Sequence, residues 1–184
     1  MLRPLALCAL LAYAVPAPGA AQDTPEAAAT AFGNALRAND WAATARLMHP
    51  TALRQLRTLF EPIVAAEGME QVGTRLFGTT SAAAFASTPD TVLFAAFLRN
   101  VLASQQGFGE ALRGATIQPL GHVAQGADTM LVVSRMTLTI EGVTISEFDV
   151  MPFVHDQGRW WGILKADFTN MAAMMQRALG ARKS

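Results

Sequence analysis

Residues 129–163 read TMLVVSRMTLTIEGVTISEFDVMPFVHDQGRWWGI. Apolar and polar character repeats there every two residues, the period at which an extended chain sends successive side chains to opposite faces of a sheet. The run is interrupted only by Glu141-Gly142 and by Asp156-Gln157-Gly158, both turn-like and short, so neighbouring strands must fold back on one another and pair antiparallel. Upstream, Gln125-Gly126-Ala127-Asp128 separates one more segment of the same period. The spacing predicts strands over about 115–124, 129–140, 143–155 and 159–168, arranged as a four-stranded meander.

Ahead of Gly114 the period is that of a helix. Thr24-Pro25-Glu26 is a helix start, with a hydroxyl to cap, a proline where its missing N–H costs nothing, and an acid in the first turn. Ala28, Phe32, Ala35 and Leu36 form the stripe that follows. Asp40 caps a second, short helix with Trp41, Ala45 and Met48, which His49-Pro50 should end. A third has the stripe Leu53, Leu56, Phe60 and Ile63, and Pro62 predicts a kink or break in it. Residues 68–87 are ambiguous. Thr88-Pro89-Asp90 repeats the cap-proline-acid start before Val92, Phe94, Phe97, Leu98, Val101 and Leu102. A last helix, capped by Thr169 and stopped by Gly180, carries Met171, Met174 and Met175 on one face. Helices first and strands second give an α+β class rather than alternating βαβ units.

The chain has 184 residues, 14 basic and 14 acidic side chains, 52% hydrophobic residues and one cysteine. Such a neutral, apolar composition lacks the basic excess that nucleic-acid binding exploits, and it buries too much to remain disordered. At the N-terminus, Arg3 precedes the apolar run Leu5 to Val15 and the small residues of Pro16-Ala17-Pro18-Gly19-Ala20-Ala21, the pattern of a secretory signal peptide. Eleven apolar residues are too few to cross a hydrocarbon layer of about 30 Å. The expected organisation is a signal peptide at 1–21 and one domain at 22–184. Removing residues 1–21 takes away Arg3, Cys8 and Tyr13, so 163 residues with 13 basic and 14 acidic groups remain, without cysteine. An exported chain of this kind must hold itself together by its apolar core. Its alanine richness and lack of thiols lean towards a bacterial periplasm, and no segment after the signal is long enough to span a membrane.

Two stretches resemble the nuclear transport factor two-like superfamily, also called SnoaL-like or ketosteroid-isomerase-like. One is Phe32-x-x-Ala35-Leu36 followed by Asn39-Asp40-Trp41-x-x-x-Ala45 and Leu47-Met48-His49-Pro50. The other is the turn ending in Gly158 that leads into Arg159-Trp160-Trp161-Gly162-Ile163-Leu164. The resemblance implies helices packed on a strongly curved sheet, a cone-shaped half-barrel with a pocket at its open end. Residues 68–104 look longer than that plan needs, so an extra helix there is expected at the mouth. The superfamily holds isomerases, dehydratases, ligand carriers and non-catalytic modules, so the resemblance implies an architecture and not an activity. It also implies a homodimer through the sheet.

The chemistry turns on strand register around Glu141-Gly142. If these two residues alone make the turn, Met136 faces Glu147, Ser134 faces Asp149 and Val132 faces Met151. One face then runs Met130, Val132, Ser134, Met136 on one strand and Glu147, Asp149, Met151, Phe153 on the next. That face would be a pocket wall with two acids in it. A carboxyl group enclosed in apolar surroundings titrates high enough to serve as a general base near neutrality. If the turn has three residues, Ile140-Glu141-Gly142, then Arg135 faces Glu147, and both acids join Thr137 and Thr139 on a solvated face. A three-residue loop at Asp156-Gln157-Gly158 would then bring Lys165 opposite Asp149. Carboxylates are rarely buried without partners, which favours the solvated ladder.

His49, His122 and His155 stand singly, with no spacing that would put two metal ligands on one face. His49 is expected to serve the carbonyls at a helix end. Trp160 and Trp161 must point to opposite sheet faces, and the outer one needs cover. Phe32, Trp41, Met130, Val132, Met136, Met151 and Trp160 are the candidate pocket-lining residues. The expected function is that of an exported, non-enzymatic module that binds a small apolar ligand or a partner protein, without a cofactor. Two alternatives remain open. One is a cofactor-independent proton-transfer enzyme, of isomerase or dehydratase type, with Asp149 or Glu147 as base and Ser134 as orienting group. The other is a structural subunit of an envelope assembly.

Overall fold

A computed structural model describes residues 23–67, 70–104, 107–166, 168–170, 174 and 177. The expected signal peptide lies outside these residues, as do Met171 and Met175 of the terminal stripe. The protein is α+β, with helices in the first half and a curved, four-stranded antiparallel sheet in the second, in the order β1-β2-β3-β4. The helices are α1 (Pro25–Arg37), α2 (Trp41–Arg46), α3 (Pro50–Val64), α4 (Glu70–Val72), α5 (Ala82–Ser87), α6 (Asp90–Ala103) and α7 (Phe108–Gly114), with a π-helical turn, Gly73–Phe77, directly after α4. The strands are β1 (Thr116–Ala124), β2 (Thr129–Ile140), β3 (Val143–Asp156) and β4 (Arg159–Gly162).

Two of the four expected N-caps form, those of the first two helices. The Thr24 hydroxyl accepts from the Ala27 N–H at 3.1 Å, and the Asp40 carboxylate accepts from that of Ala43 at 2.8 Å. Leu53, Leu56, Phe60 and Ile63 of α3 are buried as their spacing required. Pro62 does not break α3, which runs through it and ends two residues later. Thr88 does not start α6. Its hydroxyl instead donates to the Ala84 carbonyl at the end of α5, and α6 begins at Asp90. The buried face of α6 is also shifted, with Leu93 inside and Val92 exposed.

Residues 70–103, left ambiguous in part by sequence, build the helical floor of the core. Phe77 meets Phe60 and Phe85 edge-on at 5.1 and 4.9 Å between ring centroids, and Phe97 meets Phe168 at 5.2 Å. Such geometry lets ring edges meet ring faces. Arg57 of α3 fastens this layer. Its Nε donates to Asp90 at 2.6 Å, one terminal nitrogen donates to the carbonyls of Phe85 and Ala86 at 2.9 Å, and the other to that of Thr88.

In the sheet the register is that of the two-residue turns. Ser134 pairs with Asp149, Met136 with Glu147 and Val132 with Met151, while Arg135 pairs with Phe148. The favoured solvated-ladder register is thereby corrected. The reason is local: Glu141 and Gly142 have φ of 51° and 81°, and Gln157 and Gly158 have φ of 52° and 78°, so both hairpins close with left-handed residue pairs whose twist matches that of the strands. β1 bends where its pairing shifts between Pro119 and Gly121, an extra-residue bulge that adds curvature.

β4 is shorter than expected, ending at Gly162 rather than near 168. Its outer edge is taken by the α2–α3 junction: Gly162 N–H donates to the Leu47 carbonyl at 3.0 Å, and the Gly162 carbonyl accepts from His49 at 2.8 Å. A Cβ on Gly162 would stand 2.8 Å from the Met151 methyl and 2.9 Å from the Met48 sulfur, so any side chain there would have to displace the ends of these two methionines. Residues 163–165 leave the sheet and the backbone turns helical at Ala166, which places Thr169 inside that helix rather than at its cap.

Candidate functional site

Between α1, α6, α7 and the inner sheet face lie two adjoining cavities of about 280 and 300 Å³. Phe32, Leu36, Leu102, Asp149, Met151 and Lys165 line both, so the two are lobes of one space. The first lobe continues between Phe94, Phe97, Leu98 and Phe168, and the second between Phe108, Leu112, Ile117 and Met136. The helices between 70 and 103, expected at the mouth, wall the first lobe through α6.

Where the lobes meet, the apolar lining is broken by an ion pair. The Lys165 ammonium donates to Asp149 Oδ1, with the two side chains 41% and 49% exposed. Lys165 reaches this point by a route that register arithmetic does not give. With the β3–β4 turn reduced to Gln157-Gly158, an extended β4 would not have paired the two residues. Because the chain departs from the sheet after Gly162, Lys165 swings back over β3. Directly across the ladder from Asp149 stands Ser134, 8% exposed, whose hydroxyl lines the second lobe and makes no hydrogen bond with any described residue.

Phe32, Met136, Met151, Ser134 and Asp149 therefore line the space. Glu147 shares their face of the sheet but is exposed and borders neither lobe. Val132 is wholly buried against Ala28, Ala29 and Phe153, and Trp160 packs on the same group, so these two are core residues and not lining. Trp41 packs in part beside Leu112 and Ala115 and faces a separate surface groove with Asn39 and Arg99. Met130 borders neither lobe. Lys165 was foreseen as a ladder partner of Asp149, but not as a cavity wall. No periodicity marks it, because it sits in an irregular segment.

Neither a family model, nor a curated protein, nor a solved structure matches this chain significantly.

The histidines sit apart from the cavity. His49 does not serve the end of α2; its Nδ1 accepts from the Thr51 N–H at the start of α3, and its Nε2 lies 3.2 Å from Asp156. It also meets Trp161 edge-on at 6.0 Å, while the Arg159 guanidinium lies 3.4 Å above the same ring. These two supply the cover that the outer tryptophan required, and burial lowers the Arg159 pKa. His122 on β1 bonds Glu26 of α1 at 2.5 Å, and that hydrogen bond holds the Glu26 carboxyl below its ordinary value. Among the described residues no cluster of histidine, cysteine and carboxylate side chains could hold a metal ion, and no helix is long and apolar enough to cross a membrane.

Proposed function

We propose that this chain is a binding module that holds a small, largely apolar molecule in the two-lobed cavity. The observation that carries the reading is the pairing of Asp149 with Lys165 at the seam of two apolar lobes. A general base must have its carboxylate free to take a proton from substrate. Here an ammonium already occupies that position, and Glu147 is out of reach in solvent. Phenylalanine and methionine walls adapt to varied apolar shapes. Helices laid on a curved four-stranded meander support a nuclear transport factor two-like assignment, and the pattern of residues 1–21 supports export.

The test uses Nile red, an uncharged dye that fluoresces in apolar sites. The protein should bind it saturably, and Leu102→Trp, which fills the wall common to both lobes, should weaken binding by about tenfold or more while leaving the far-ultraviolet circular dichroism unchanged. No saturable binding, or equal binding by a folded Leu102→Trp protein, would overturn the reading.

A further inference from the structure

We infer that the cavity selects ligands whose polar group is uncharged and both gives and accepts hydrogen bonds, such as an alcohol or a primary amide, over carboxylates and amines of the same length. The inference rests on the binding reading above and concerns the chemistry at the seam of the lobes.

Three side chains present polar atoms there. Asp149 and Lys165 satisfy one another and sum to zero charge, and both still face the space. Ser134, more than nine-tenths buried, points an unpartnered hydroxyl into it from the neighbouring strand. Accessible from the cavity and engaged by no described residue, that hydroxyl is free to donate to or accept from a ligand in place of water. The remainder of the lining is hydrocarbon, aromatic ring or thioether.

A ligand carboxylate entering this seam would gain Lys165 but bring a second negative charge against Asp149, leaving the seam with a net charge of minus one. A ligand ammonium would gain Asp149 and meet Lys165 in the same way. Either leaves one charge unbalanced beside an apolar lining, a cost that solvent screens in part because Asp149 and Lys165 are nearly half exposed. An alcohol or amide avoids both penalties. It can donate to the second oxygen of Asp149 and accept from Ser134 or from a remaining Lys165 N–H, without dismantling the ion pair. The pair thus acts as a charge filter, and its two halves should be separable by mutation.

The experiment displaces Nile red with octanol, octanamide, octanoate and octylammonium at neutral pH. For the wild-type protein the alcohol and amide should displace the dye at concentrations about threefold or more below those of the two ions. In Asp149→Asn, which leaves Lys165 alone, octanoate should rise to the head of the series. In Lys165→Met, which leaves Asp149 alone, octylammonium should do so. Ser134→Ala should narrow the advantage of the alcohol over the two ions, read relative to that variant's own affinity for the dye. Equal displacement by all four compounds, or a ranking that neither charge substitution alters while dye binding persists, would overturn this inference and leave the apolar site standing. Failure of the wild-type protein to bind the dye would overturn both. The wild-type series needs no variant to fold, so the inference is open to refutation even if a charge substitution unfolds the chain.

Discussion

Val143, Ile145, Glu147, Asp149, Met151 and Phe153 occupy alternate positions of one strand and point to one side of the sheet, yet the two ends of that row live in different media. Val143 and Ile145 are 62% and 38% exposed, and Phe153 is 1% exposed. The difference is in what lies above them. Phe153 is roofed by α1 through Ala28 and Ala29, and α7 extends its cover to Leu138 of β2 through Ala111 and Leu112. On β2 this cover reaches Ile140 at the hairpin turn, but the β3 residues beside it, Val143 and Ile145, lie outside it. Asp149 stands where the roof thins, and Glu147, two residues on, is outside. The row teaches that alternation assigns a side chain to a face, but helix reach assigns it to an interior.

The sharpest way to break this comparison is to truncate both ends. Phe153→Ala should cost about 3–5 kcal/mol of folding stability, whereas Ile145→Ala on the same face should cost less than about 1 kcal/mol, as read from denaturant midpoints at constant slope. Similar losses would mean that the hairpin tip is covered in solution after all. The glycines at the two ends sharpen the contrast in kind. Gly162, paired with Phe153, has no room for a methyl group, so Gly162→Ala should destabilise by about 1–3 kcal/mol through collision with Met48 and Met151. Gly142 at the open tip has nothing near its missing Cβ and a φ of 81°. Gly142→Ala should therefore cost about 1 kcal/mol through backbone conformation alone. Shortening Met48 and Met151 to alanine should relieve the first substitution but not the second.

The smallest effect concerns pH. Glu26 and His122 fasten α1 to β1 near the enclosed end. The Glu26 carboxyl titrates below 4.5 in the folded protein, so its contribution is present above that value and is lost as the pH falls through the folded pKa. The wild-type protein should exceed His122→Gln in stability in mildly acidic buffer, and the gap should close on further acidification. Because both partners are partly exposed, the gap should be modest. A gap that widens towards strong acid would show that His122 acts otherwise.

Much of this molecule was legible beforehand. Thr24 and Asp40 announced their caps, the stripe of α3 named its buried residues, and Glu141-Gly142 offered the register that forms. Physical prudence about buried acids pointed to the other register, and it misled because it weighed only the face and not the partner. The register puts Asp149 inward and Lys165 arrives from off the sheet to meet it. Thr88 and Val92 depart from expectation for a related reason: a residue's neighbours within one helix do not say how the next helix will pack against it. Lining and core both demand an inward side chain, so alternation does not separate Val132 and Trp160, which pack with Ala28, Ala29 and Phe153, from the residues that border the cavity.

The sequence by itself determined what short-range geometry can dictate: the periods of three to four and of two, the caps, the two tight hairpins, and thus helices packed on an antiparallel sheet. The tertiary structure alone decided where the roof ends, that β4 stops at Gly162 because the α2–α3 junction takes its edge, and that Lys165 closes over Asp149 between two apolar lobes. Those outcomes depend on contacts between segments distant in the chain, whose energies belong to pairs and layers rather than to any residue's place in its own element.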